Sequence, residues 1–394
     1  MLITFRFGVV RALSTLALLA VPMAPTTTWA QDTTLAAGRP IVLFVHGRNQ
    51  AYKTGDQLEA TWFGAFRDGL TKIGAQNSVR QSDYRLIRYE DIYESDATPT
   101  PACGDVKVSP ADKLVHSHIS ESLAWQSATL GLNTGSASSA DSSSAPSVLP
   151  SSEWKANRNL DFYTQTSKFS PEDKSYARDK ANFLEAFRDA AARVIPAAFV
   201  ERFVKDTSEY LEQGWKTCET DNRVITALKD AKRDGRPVIL VAHSMGAMVT
   251  YRVMHKAHSV DPNFYGIGHF ITLGSQLGWN RMPPWLIGSR ADAPFAIPLT
   301  PANWTNIKGN NDPLGWLAKS NFRPVGTVHD IEDDTNGISV AHDIDRYLQR
   351  RTVATEIFGA WCKAHRAPAM PPRECQAVSS AADAARSAGI ASSR

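Results

Sequence analysis

The chain has 394 residues, 43% of them apolar and 21% charged, with a net charge of +3. That is material for one large or two ordinary domains, and it excludes both a wholly disordered chain and a multi-span membrane protein. The charge balance, with no basic cluster interleaved with aromatics, points away from nucleic acid as a partner.

In chain order, residues 1–30 come first. They carry Arg6 and Arg11, no acid, then the apolar run Ala12–Val21 closed by Pro22 and Pro25, and they end in Thr28-Trp29-Ala30. A charged start, a short apolar stretch and small residues before a cut are the parts of a signal peptide, so cleavage is expected before Gln31. Without that leader the net charge falls from +3 to +1. No cysteine follows the cut and no later apolar stretch approaches membrane length, so the expectation is a periplasmic or secreted chain without a transmembrane anchor. The four cysteines, Cys103, Cys218, Cys362 and Cys375, agree: an even count in an oxidising compartment predicts two disulfides. Of the three possible pairings, the neighbours Cys362 and Cys375 are expected to close a C-terminal loop, leaving Cys103 for Cys218. Their spacing matches no metal-binding pattern.

Pro40-Ile41-Val42-Leu43-Phe44-Val45 is a continuous apolar run, the pattern of a strand buried on both faces. Leu58, Trp62, Phe66, Leu70 and Ile73 then recur at helical spacing up to Gly74, and residues 84–89 alternate like a strand nearer an edge. Strand, helix and strand make a first βαβ unit. From about residue 95 to 215 the pattern lapses into a lid-like insertion. Its middle, 133–152, is Ser-, Ala-, Gly- and Pro-rich and cannot bury enough apolar surface to order itself, while Phe183 to Phe203 mark helices. Order returns with a helix through Val224 and Leu228, closed by Gly235, and a second fully apolar strand, Val238–Val241. A helix through Val249 and Val253, strands at 270–273, 303–307 and 325–331, and a helix over 343–361 complete the domain, which spans 31–375. Residues 376–394 read as a frayed tail. The alternation argues for an α/β protein with a mostly parallel, doubly wound sheet and helices on both faces.

Ala242-His243-Ser244-Met245-Gly246 joins the apolar strand to the helix after it. A nucleophilic serine on such a turn must project clear of the sheet, so the residues two away must be small, as Ala242 and Gly246 are. The helix N-terminus beside it brings backbone N–H groups and partial positive charge, placing the Met245 N–H where an oxyanion would form. On these residues the chain resembles the α/β-hydrolase family, in its lipase- and esterase-like branches, over 38–95 and 220–362. The resemblance implies a second oxyanion donor after an early strand, at the His46-Gly47-Arg48 segment, where the N–H of Gly47 or Arg48 would serve. It also implies the order nucleophile, acid, histidine. Asp312 follows a strand and a Gly/Asn turn and takes the acid position. His342, at a loop-to-helix junction, is preferred as the base over His329, which lies in or at the end of the last strand. His46 and His243 are read as packing or substrate-facing groups, His243 beneath the nucleophile.

The resemblance thus implies a serine hydrolase cleaving a small-molecule or lipid ester through an acyl-enzyme, with no metal, flavin or nucleotide required. An acyltransferase or amidase would use the same triad, and a pseudo-hydrolase would use the pocket to bind a cell-envelope ligand. Gly266-Ile267-Gly268 precedes a strand and lacks a dinucleotide fingerprint. The acidic run 330–334 lacks the ligand spacing of a calcium loop and reads as solvated loop.

Overall fold

A computed structural model describes residues 38–47, 54–94, 96–104, 106, 205–211, 214–260, 267–279, 282–286, 295–296, 303–312, 314–323, 328–334, 342–366 and 371–376. The expected leader, the 133–152 segment, Arg48, most of the expected insertion over 95–215 and the residues from 377 onward, expected to form a tail, lie outside these residues.

Six parallel strands form the central sheet: β1 (Ile41–Val45), β2 (Tyr84–Ile87), β3 (Val238–His243), β4 (Ile267–Leu273), β6 (Trp304–Gly309) and β8 (Val328–Asp333). They lie in the order β2-β1-β3-β4-β6-β8, and two short strands, β5 (Phe295–Ala296) and β7 (Phe322–Arg323), pair separately. Among the described residues the helices with both ends given are α1 (Gly55–Lys72), α2 (Trp215–Arg233), α3 (Met245–Val260), α4 (Met282–Leu286), α5 (Ile344–Leu348) and α6 (Arg351–Ala364). This is the α/β class, with β2 at the edge as its alternation predicted.

Every residue of β1 and β3 is buried, because both strands are covered on both faces. Successive residues point to opposite sides. Ile41, Leu43, Val45, Leu240 and Ala242 join one core with residues of α2 and α3, while Val42, Phe44, Ile239 and Val241 join a second core with residues of α1, α5 and α6. The chain runs outward from β1 to β2, then returns to place β3 on the other side of β1, with Val45 opposite Ala242. At such a switch point the connections leave in opposite directions, opening a crevice at the carboxyl ends of the strands.

Two sequence expectations need correction. The single helix over 343–361 is two helices, because Arg350 adopts an extended conformation between them. The break is tertiary: Gly69 of α1 abuts the Leu348 carbonyl, and Lys72 Nζ donates to the Gln349 carbonyl at 2.9 Å. The acidic run 330–334 is mostly β8, and Asp330 is a structural acceptor. Its carboxylate takes Asn306 Nδ2 (2.7 Å), the Ala318 N–H (2.9 Å) and the Lys319 N–H (2.7 Å), tying down the loop after β6.

Two disulfides are present, Cys103–Cys218 and Cys362–Cys375, with Cα separations of 5.7 and 5.5 Å. The first joins segment 96–104 to α2, where Glu219 also accepts the Thr100 N–H at 2.7 Å. Segment 96–104 and the start of α2 thus meet at one cross-linked point. Among the described residues no helix is long and apolar enough to cross a membrane.

Candidate active site

Ser244 sits at the switch point, directly between β3 and α3, with φ of 54°. Among the described residues it is the one non-glycine residue with positive φ. Such a conformation costs on the order of 1–3 kcal/mol and persists only where the surroundings enforce it. Here the Ser244 N–H donates to the Leu273 carbonyl at 3.0 Å, extending the β3–β4 ladder, while its carbonyl accepts the Ala247 N–H at 2.9 Å in the first turn of α3. The chain must change from strand to helix within one residue, and that residue is the serine. Gly246 allows the change: a Cβ there would fall 2.4 Å from the Val45 carbonyl oxygen.

His342 comes from the loop before α5, and its Nε2 lies 2.9 Å from Ser244 Oγ. Its Nδ1 lies 3.0 and 2.9 Å from the two carboxylate oxygens of Asp312, on the turn after β6. The three groups form one hydrogen-bonded chain, and all three residues are buried. Asp312 also accepts the Leu314 N–H (2.8 Å) and the Tyr347 hydroxyl (2.5 Å). Burial alone would raise its pKa, but the charge and hydrogen bond of His342 and the donors from Tyr347 and Leu314 outweigh it, and Asp312 is held below the usual carboxylate value. Burial and the neighbouring Asp312 charge push the Tyr347 hydroxyl well above its ordinary value, so it remains a donor. His329, the rival histidine, is an exposed residue of β8 paired with Thr305 and takes no part in this chain.

His243 lies beneath the serine, buried, with its Nε2–H donating to the His342 carbonyl at 2.9 Å. Burial, reinforced by His342, lowers its pKa well below the ordinary histidine value, so it stays neutral. Gly47 backs onto Ser244; a Cβ at that position would lie 2.7 Å from Ser244 Cβ. Met245 opens α3 with its side chain buried. Both proposed oxyanion positions among the described residues therefore adjoin Ser244, while Arg48 lies outside them.

Sequence reasoning missed two contributors. Tyr347 falls within the stretch expected to be helix over 343–361, and nothing in its spacing marks a polar partner. Gly274 follows β4 directly, with φ of 54° and Cβ space already taken by Asp312 Oδ2 at 2.7 Å and His342 Nδ1 at 3.1 Å. A glycine closing an apolar strand was its one visible signal. No cluster able to hold a metal ion occurs among the described residues. Comparisons with protein-family models, curated proteins and solved structures find no match to this chain.

Proposed function

We propose that this chain is an exported serine hydrolase of the α/β-hydrolase type, lipase- or esterase-like, that cleaves carboxylic esters. The observation that carries the reading is the hydrogen-bonded chain from Ser244 Oγ through His342 to Asp312, set at the sheet's switch point with the serine in a strained conformation. His342 Nε2 takes the Ser244 proton as Oγ attacks the ester carbonyl, and Asp312 holds the imidazole by Nδ1 and stabilises its charge. The tetrahedral oxyanion is met by backbone N–H groups at Gly47 and Met245. Its collapse expels the alcohol, which leaves with the proton from His342. Water, deprotonated by the same imidazole, then releases the acid and restores Ser244. Export rests on the composition of residues 1–30 and on the two disulfides, which persist in oxidising compartments.

Fluorophosphonate labelling and a panel of p-nitrophenyl esters and amides test the reading. Covalent label on Ser244 with ester turnover is expected, and Ser244→Ala and His342→Ala each lower turnover by about 10⁴-fold while His329→Ala does not. Preferential amide cleavage, or acyl transfer to an added alcohol exceeding hydrolysis, would redirect the assignment. No label on folded protein would make the pocket a binding site.

A further inference from the structure

The loop after β1 carries a polar assembly that the hydrolytic chain does not use. His46 is fully buried. Its Nδ1–H donates to the Gly47 carbonyl at 2.6 Å, and its Nε2 faces Glu90 Oε2 at 3.0 Å and the Tyr89 N–H at 3.2 Å. The other carboxylate oxygen of Glu90 accepts Arg88 Nε at 2.9 Å. Tyr89 stacks on the imidazole, ring centroids 4.1 Å apart and 12° from parallel, and its hydroxyl donates to the His46 carbonyl. Burying a histidine against a carboxylate is expensive unless the geometry is exacting, and an apolar pair of the same size is often as stable.

What the assembly holds is the backbone beside Ser244. A peptide group is planar and trans, so fixing its carbonyl fixes its N–H in the opposite direction. The Tyr89 hydroxyl fixes the carbonyl of the His46–Gly47 peptide, whose N–H belongs to Gly47. His46 fixes the carbonyl of Gly47 itself, and so the peptide that follows, leaving both peptide planes that flank Gly47 held in place. Gly47 has no side chain to anchor it and lies against the nucleophile, so its orientation must come from neighbours. We infer that Tyr89 and the His46–Glu90 pair are positioning residues that set the Gly47 backbone as an oxyanion donor for Ser244. This rests on the hydrolase reading, and it adds the segment just after the edge strand β2 to the machinery.

The test uses Tyr89→Phe and Glu90→Gln in the full-length chain, with Arg88→Met as a milder variant. Arg88 is 39% exposed at its side chain, so its loss is expected to leave the fold intact. Donors to an oxyanion act on the tetrahedral species, so kcat is expected to fall about 10–100-fold in the first two variants and about threefold in the third, with KM within about twofold. Affinity for a trifluoromethyl ketone, which becomes tetrahedral on Ser244, should fall in step with kcat, while inhibition by the carboxylate product stays constant. A variant with lowered thermal stability but unchanged kcat and ketone affinity would overturn the inference, as would a rise in KM alone. If Glu90→Gln does not fold, the Tyr89→Phe and Arg88→Met results decide. Absence of ester turnover in the unaltered chain would instead defeat the hydrolase reading.

Discussion

Replacing Tyr347 by Phe removes a single oxygen atom and two buried hydrogen bonds, and its consequences separate positioning from packing. The hydroxyl donates to Asp312 Oδ2 at 2.5 Å and accepts the Gly309 N–H at 2.8 Å. A bond to a charged group is worth about 1.5–3 kcal/mol, and a buried N–H left without its partner costs about 1–3 kcal/mol. The variant should therefore lose about 3–5 kcal/mol of stability by thermal or urea unfolding. Turnover should suffer less. Asp312 keeps His342 Nδ1 and the Leu314 N–H, so its orientation survives, and a fall in kcat of about 10-fold is expected against about 10⁴-fold for Asp312→Asn. The pH dependence of stability carries the diagnostic sign. The Tyr347 donor helps to hold Asp312 below the usual carboxylate value, so without it the stabilisation from the ionised Asp312 is lost at higher pH on acidification. Urea unfolding across pH 2–7 measures it. An unchanged melting temperature, or a loss displaced toward lower pH, would refute the role assigned to Tyr347.

Gly274→Ala combines a positive φ with a Cβ placed 2.7 Å from Asp312 Oδ2. It should reduce ester turnover at least 10-fold and stability by about 1–3 kcal/mol, measured by kinetics and thermal melts; an active, undisturbed variant would show that the loop has room to shift. Removing the Cys103–Cys218 bond, whose cysteines are 115 residues apart, should cost about 2–5 kcal/mol in the chain-entropy account, and more than removing Cys362–Cys375 at 13 residues; non-reducing peptide maps and melts of the paired Ala variants check this. Glu90 is opposed by burial but held down by the hydrogen bond and charge of His46, to a pKa of about 2 against an ordinary 4.5. Because its folded value is depressed, its stabilisation is full above about pH 4.5 and lost as pH falls toward 2. Glu90→Gln should flatten the acid limb of the stability curve by about 2–3 kcal/mol, read by urea unfolding between pH 7 and 2.

Local patterns carried the architecture. Runs such as Ile41–Val45 and Val238–Val241 are apolar without alternation because both faces of their strands are covered, and that condition alone implies a parallel sheet between helix layers. The turn at Ser244 was equally legible, since strand, small residue, serine and helix follow one another in the chain, and the order nucleophile, acid, histidine implied by the resemblance to α/β-hydrolases led to the preference for Asp312 and His342. The spacing of cysteines anticipated both disulfides. What only the tertiary structure decided are contacts between distant segments whose residues look ordinary in sequence. Tyr347 reads as a core aromatic until β6 and α5 bring its hydroxyl between Asp312 and Gly309. The helix over 343–361 breaks because α1 occupies the space at Leu348 and Gln349, and no local propensity records that. Glu90 meets His46 across 44 residues because β1 and β2 are neighbours in register. Periodicity reports which face of an element is buried; the partner of a buried polar atom depends on how the layers pack, and becomes definite only when they do.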